Sequence, residues 1–193
     1  MRNGVCSDML TGMRLGVLLA AALFAAPAYA QRYNAAPAVI GQREGRDGGE
    51  AFASMDVRAP PSAVWAVLVD CPNAPRFMRN LISCRVLERG DGWEVREHRV
   101  QGGPFRVMRN VSRLTFEPDR RLAFHRIEGD WTRSDGEWRL TPIDGGRGTH
   151  VEYEISAAMN GGLPLGISQS FLYASVRGTL AALRREAERQ GAS

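Results

Sequence analysis

The last long segment of the chain, Ile167 to Gln190, runs without a proline. Ile167, Phe171, Leu172, Val176, Leu180 and Leu183 recur along it at the spacing of one helix face. Arg184, Arg185, Glu186, Glu188 and Arg189 crowd its end. The residues before it, from Ile82 to Ile155, follow a period of two broken by turn residues. About six strands therefore precede one long amphipathic helix. A sheet that long has a face to cover, and a single long helix is available to cover it. If the sheet curves around that helix, the space between them can stay partly unfilled and hold a ligand.

The individual elements are readable. Glu50 to Arg58 reads as a strand carrying Phe52, Met55 and Val57, followed by Pro60-Pro61 at the start of a helix with Val64, Trp65, Leu68 and Val69. Asp70-Cys71-Pro72-Asn73 breaks it, and Phe77, Met78 and Leu81 share one face of a second short helix. Turns follow at Gly90-Asp91-Gly92, Gly102-Gly103-Pro104, Glu117-Pro118-Asp119 and Asp144 to Gly148. Between them, Phe105, Val107, Arg109, Val111 and Arg113 occupy one face of a long strand, and Met108, Leu114 and Phe116 the other. Leu122 to Asp130 carries Phe124 and Ile127, Thr132 to Pro142 carries Trp138 and Leu140, and Val151, Tyr153 and Ile155 alternate in the strand after them. The fold class is α+β: a curved antiparallel sheet of about seven strands around a long C-terminal helix, with two short helices after the first strand.

Met13 to Ala30 has a basic start, an apolar run from Leu15 to Ala26, a Pro27 break and then Ala28-Tyr29-Ala30. These are the parts of an export leader cleaved after Ala30. The apolar run is shorter than the roughly 20 residues needed to cross a bilayer, which favours cleavage over retention as an anchor. Translation can start at Met1 or Met13, and only the first choice makes Cys6. The expected organisation is residues 1–30 as signal peptide, 31–49 as a flexible tail poor in apolar periodicity, and 50–190 as one domain. The expected location is the periplasm or the exterior.

The charge excludes some functions. There is no lysine, and outside the leader 23 arginines face 20 acids, a net charge of +3. That is too small and too evenly spread for a nucleic-acid partner. Cys71 and Cys84 remain in the exported chain, thirteen residues apart. In an oxidising compartment they can form a disulfide, or they can be two separate buried thiols. Neither they nor the strand residues His98, His125 and His150 have the spacing of a metal site. No phosphate-binding loop or nucleophile elbow occurs. No cofactor, metal or catalytic set is expected.

Val57-Arg58-Ala59-Pro60-Pro61-Ser62-Ala63-Val64-Trp65 resembles the strand-to-helix opening of the START-like superfamily, also called SRPBCC or helix-grip proteins. Cys84 to Arg89, Glu128-Gly129-Asp130 with Gly136-Glu137-Trp138, Gly148 to Tyr153 and the final helix extend the resemblance over about Glu50 to Gln190. Within the superfamily it is similar to the polyketide cyclase/dehydrase and coenzyme-Q-binding branch. The resemblance implies a cavity for a lipid, quinone, sterol or polyketide-like molecule.

Candidate lining residues are Trp65, Phe105, Phe124, Tyr153, Leu163, Phe171, Leu172 and Val176, with Gly161 to Leu165 a gate by analogy. Period two also points Glu97, Arg109 and Arg126 inward if Val95, Val107 and Phe124 face inward. Those three then make a polar end that orients a head group; the alternative is that the strands twist past the helix and leave them in solvent. The expected function is binding or carrying a hydrophobic small molecule, with only transient membrane contact. An aromatase/cyclase-type enzyme and an envelope protein-interaction module are the alternatives.

Overall fold

The computed structural model describes residues 33, 38–40, 49–103, 106–159 and 165–192. The leader, Phe105 and Leu163 lie outside the described residues. Strands β1 (Ala38–Ile40), β2 (Gly49–Val57), β3 (Leu81–Gly90), β4 (Trp93–Gly103), β5 (Arg106–Glu117), β6 (Arg121–Gly129), β7 (Trp131–Ile143) and β8 (Gly148–Met159) form one sheet. Its order is β1-β2-β8-β7-β6-β5-β4-β3, and every neighbouring pair is antiparallel. Helix α1 (Pro61–Val69) follows β2, and helix α2 (Leu165–Gly191) closes the chain.

Two expectations are corrected. The second short helix is only a 3-10 turn, Ala74–Arg76. Phe77 and Leu81 are still buried, Leu81 as the first residue of β3, so the apolar spacing reflected burial rather than a helix. The segment read as a tail contributes β1, which pairs with β2 in the register Ala38↔Ser54, Val39↔Ala53, Ile40↔Phe52. Ahead of it the Tyr33 hydroxyl donates to Asp144 Oδ2 at 3.1 Å, and the Arg58 guanidinium lies 5.2 Å from the Tyr33 ring centre. A short run of Ala-Val-Ile carries too little pattern to announce an edge strand.

The inner face of the sheet is set by β2 and β8. Ala51, Ala53, Met55 and Val57 alternate with half-exposed residues and pair with Ile155, Tyr153, Val151 and Thr149. They pack with Val176, Leu180, Leu183 and Ala187 of α2, which fall on one helical face. Burying Leu180 and Leu183 fully, as here, contributes about 1.5–3 kcal/mol each. Helix α2 makes its most extensive contacts with β2 and α1.

Helix α1 starts where Ala63 and Val64 N–H groups donate to the Pro60 carbonyl, at 3.0 and 3.3 Å. Its last carbonyls are capped from outside the helix: Arg96 on β4 donates to Leu68 O at 3.3 Å and Val69 O at 2.8 Å. A cation at a helix C-terminus meets both the free carbonyls and the dipole. Just beyond α1, Cys71 is bonded to Cys84 of β3, their Cα atoms 5.3 Å apart. This stitches the helix end to the edge of the sheet.

Candidate functional site

Register assigns each side chain of β4 to β7 to a face. On β5, Leu114 pairs with Phe124 and Ser112 with Arg126; on β4, Arg96 pairs with Ser112 and His98 with Asn110. Phe124 in turn pairs with Gly136, two positions from Trp138, which pairs with Tyr153 of the inner face. His98, Asn110, Ser112, Leu114, Phe124, Arg126, Ser134 and Trp138 therefore share the inner face.

Glu97, Arg99, Val95, Arg109 and Val111 lie on the outer one. The expectation that Arg109 and Glu97 point into the interior is thus corrected. Arg109 Nε donates to Glu97 Oε2 at 2.6 Å, and its Nη2 lies 2.7 Å from Glu128 Oε1. That hydrogen bond holds the Glu97 carboxyl below the usual carboxylate range and raises the Arg109 guanidinium.

The inward reading of Val95 and Val107 set the parity wrong for a physical reason. Long arginines cover apolar residues on the convex face, so Val95 and Val111 are buried there without facing the core. Trp93 lies the same way beneath Arg113, whose guanidinium carbon is 3.9 Å from the ring centre.

Other candidates divide. Phe124 and Tyr153 are brought together, their rings 6.4 Å apart, and Tyr153 stacks on Trp138 at 3.8 Å; Arg126 lies two residues along β6 from Phe124 on the same face. Burial raises the Tyr153 phenol well above its ordinary value. Leu172 is half-buried against the core, and Val176 is within it. Trp65 packs edge-on against Phe116, ring centres 6.0 Å apart, four residues along β5 from Ser112. Phe171 is exposed.

The polar residues that the sequence reading missed are His98, Asn110, Ser112 and Ser134. Asn110 Nδ2 donates to Ser112 Oγ at 3.1 Å and to Ser134 Oγ at 3.2 Å, crossing from β5 to β7. Gly129, which lies opposite Asn110 on β6, has φ of 120° and sits so close to the Arg109 carbonyl that a side chain there would overlap it. The signal was available: Asn110 and Ser112 alternate with the same period as Met108, Leu114 and Phe116.

Among the described residues, His98 Nε2, Asn110 Oδ1 and Arg126 Nε are buried without a hydrogen-bond partner, as are Trp131 Nε1 and Arg133 Nε on the β6–β7 hairpin. Native interiors rarely leave such groups unmatched. Burial, and secondarily the charge of Arg96, push the His98 imidazole down to about 4. At neutral pH it is an uncharged donor and acceptor. Among the described residues no cluster of three or more His, Cys, Asp or Glu side chains could hold a metal ion.

A family model described as polyketide cyclase/dehydrase and lipid transport matches residues 57–184. The chain belongs to this family. No curated protein matches it. Solved structures supply START-like neighbours for the polyketide cyclase/dehydrase and lipid transport domain. A STAR-related lipid transfer protein fragment from Xanthomonas axonopodis superposes with a TM-score of 0.66 at 17% identity, covering 79% of this chain and 98% of that one. A START superfamily protein from Mycobacterium smegmatis gives 0.64 at 15% identity, covering 77% and 99%. The Zhui aromatase/cyclase from a Streptomyces species gives 0.61 at 23% identity, covering 78% and 96%. These likenesses establish the helix-grip fold. In this member of the family the inner-face polar group lies on β4 to β7, while α2 makes its main contacts with β2 and α1.

Proposed function

We propose that the protein holds one hydrophobic small molecule, of lipid, quinone or polyketide-like kind, between the inner sheet face and α2, and that it does so as an exported carrier. The observation that supports this reading is the set of buried, unmatched polar atoms on the inner face, His98 Nε2, Asn110 Oδ1 and Arg126 Nε, on the same face of the sheet as Phe124 and Tyr153. An apolar wall with a few convergent polar groups is the make-up of a small-molecule site. The lipid-transfer names of the family model and of the Xanthomonas structure point the same way. Export rests on the leader sequence alone, Met13 to Ala30.

Native mass spectrometry with solvent extraction, on protein purified from the periplasm without detergent, tests both parts. A co-purifying apolar molecule near one per chain, on a chain beginning at Gln31, is the expected result. A ligand-free mass on the uncleaved chain overturns it.

A second reading, cyclisation of a reactive chain by proton movement, is favoured by one observation: His98 stays neutral in the interior, as a general base must. It predicts turnover of a poly-β-ketone substrate that His98→Gln abolishes. An interaction module is less well supported, since the convex face carries the ion pairs Arg109–Glu97, Arg121–Glu137 and Arg139–Glu137. Exposed Val107 and Ile127, beside the β4–β5 and β6–β7 turns, suit brief contact with a bilayer.

A further inference from the structure

Hairpin β6–β7 is only half zipped. Arg121 to Phe124 pair with Arg139 to Gly136, and among the described residues the ladder stops there. Gly136 has no room for a side chain, because a Cβ would overlap the Glu154 carbonyl and the Phe124 ring. Beyond that point the Asp135 side chain replaces the missing ladder bond, its Oδ1 accepting from the Arg126 N–H at 3.0 Å. The Asp135 carboxylate is therefore used on the backbone of Arg126, not on its guanidinium, and Glu128 is paired with Arg109.

The guanidinium itself lies on the inner face and is less than half exposed. Its Nη2 donates to the Gly129 carbonyl at 3.1 Å, and its Nε is buried without a partner. Among the described residues, no carboxylate forms an ion pair with it. Arg96, also on the inner face, is matched by Glu94 at 2.8 Å and by the carbonyls of α1. Arg126 thus carries a charge that forms no ion pair among the described residues, and its Nε–H is out of reach of solvent, where an unmatched donor is costly.

The unmatched groups on this hairpin are all of one kind. Arg126 Nε–H and Trp131 Nε1–H, which share the inner face, can donate and cannot accept. They call for an acceptor-only group with several oxygens and negative charge. A quinone or sterol head supplies one or two neutral oxygens and leaves the guanidinium unpaired. A carboxylate or phosphate matches an arginine in both charge and geometry.

Resting on the reading of an interior ligand site, we propose that the open end of hairpin β6–β7 seats the anionic head, carboxylate or phosphate, of an amphipathic ligand, with Arg126 as its counter-charge. The tail then runs along the inner face past Phe124 toward Tyr153 and Trp138. Asn110, Ser112 and Ser134 flank the head with neutral polar groups.

Calorimetric titration of the delipidated full chain with oleate, oleyl phosphate, oleyl alcohol and inorganic phosphate tests this. Oleate or oleyl phosphate should bind at least about tenfold more tightly than the alcohol, the scale of one charged hydrogen-bonded contact. Whichever of the two anions binds more tightly identifies the head. Arg126→Gln should abolish the difference while leaving the alcohol's affinity within about twofold, and Arg126→Lys should keep part of it. Equal affinity for oleate and its alcohol in the wild-type chain overturns the assignment and leaves the interior-ligand reading standing; that comparison needs no variant to fold. Binding of inorganic phosphate as tight as that of oleyl phosphate overturns it in favour of a free anion. Failure of all three tailed probes overturns the underlying interior-ligand reading instead.

Discussion

Arg96 spans the interior from β4 to end α1, its Nη2 lying 2.8 Å from the Val69 carbonyl and its Nε 2.8 Å from Glu94 Oε2. Burial lowers its pKa, with Glu94 opposing that shift. Truncating it leaves two helix carbonyls without their donor and Glu94 with Arg89 alone, 3.0 Å away. Arg96→Ala should cost about 3–5 kcal/mol, the range for breaking a buried pair by removing one partner. Urea unfolding reads it directly. A loss below about 1 kcal/mol would mean that water serves the helix end equally well.

The Cys71–Cys84 bond closes a loop of 13 residues between α1 and β3. A loop that size constrains the unfolded chain by about 3 kcal/mol. Wild-type protein should therefore lose stability of that order on reduction. The double variant Cys71→Ala, Cys84→Ala should lie near the reduced protein and show no response to reductant. A variant as stable as the oxidised wild type would show that the bond contributes nothing.

His98 gives stability a specific pH dependence. In the unfolded chain the imidazole takes its proton near its ordinary 6.5; in the folded one it does so only at about 4. Between those values the unfolded state binds more protons, so acid favours unfolding. His98 should subtract nothing above about pH 7, and on the order of 3 kcal/mol by about pH 4. Unfolding free energies at a series of pH values should show a steeper acid decline in wild type than in His98→Gln. Parallel declines would place the titration elsewhere.

Gly129 holds the backbone at a φ of 120° and lets Asn110 reach Ser134. Gly129→Ala should cost about 1–3 kcal/mol through backbone strain, with overlap against Arg109 adding to it. Chemical-shift changes should extend to Ser134 and Arg126, whose contacts run through this point. A change confined to the hairpin's own backbone would contradict that linkage.

The long helix, the strand run and the START-like resemblance were legible because each rests on a period sustained over many residues. Val176, Leu180 and Leu183 needed only their spacing to be placed in the core. The site was harder. Face assignment on β4 and β5 followed Trp93, Val95 and Val107, apolar residues that arginines or the strand's rim accommodate on the convex side. One wrong parity moved Arg109 inward and hid Asn110 and Ser112. On β6, Phe124 and Arg126 share the face of Leu122, which pairs with Trp138. The half-zipped hairpin depends on a contact between Gly136 and Glu154 that no local pattern encodes.

Strand β1 bears on how the protein is handled. It covers β2 along Phe52, Ala53 and Ser54, so a chain shortened to Glu50 would present a bare backbone edge of eight residues to its neighbours. Such a fragment keeps nearly all the apolar interior and yet is prone to self-association and fibre growth. Material for crystallisation or storage is therefore better started at Gln31 than at the first residue of the obvious core.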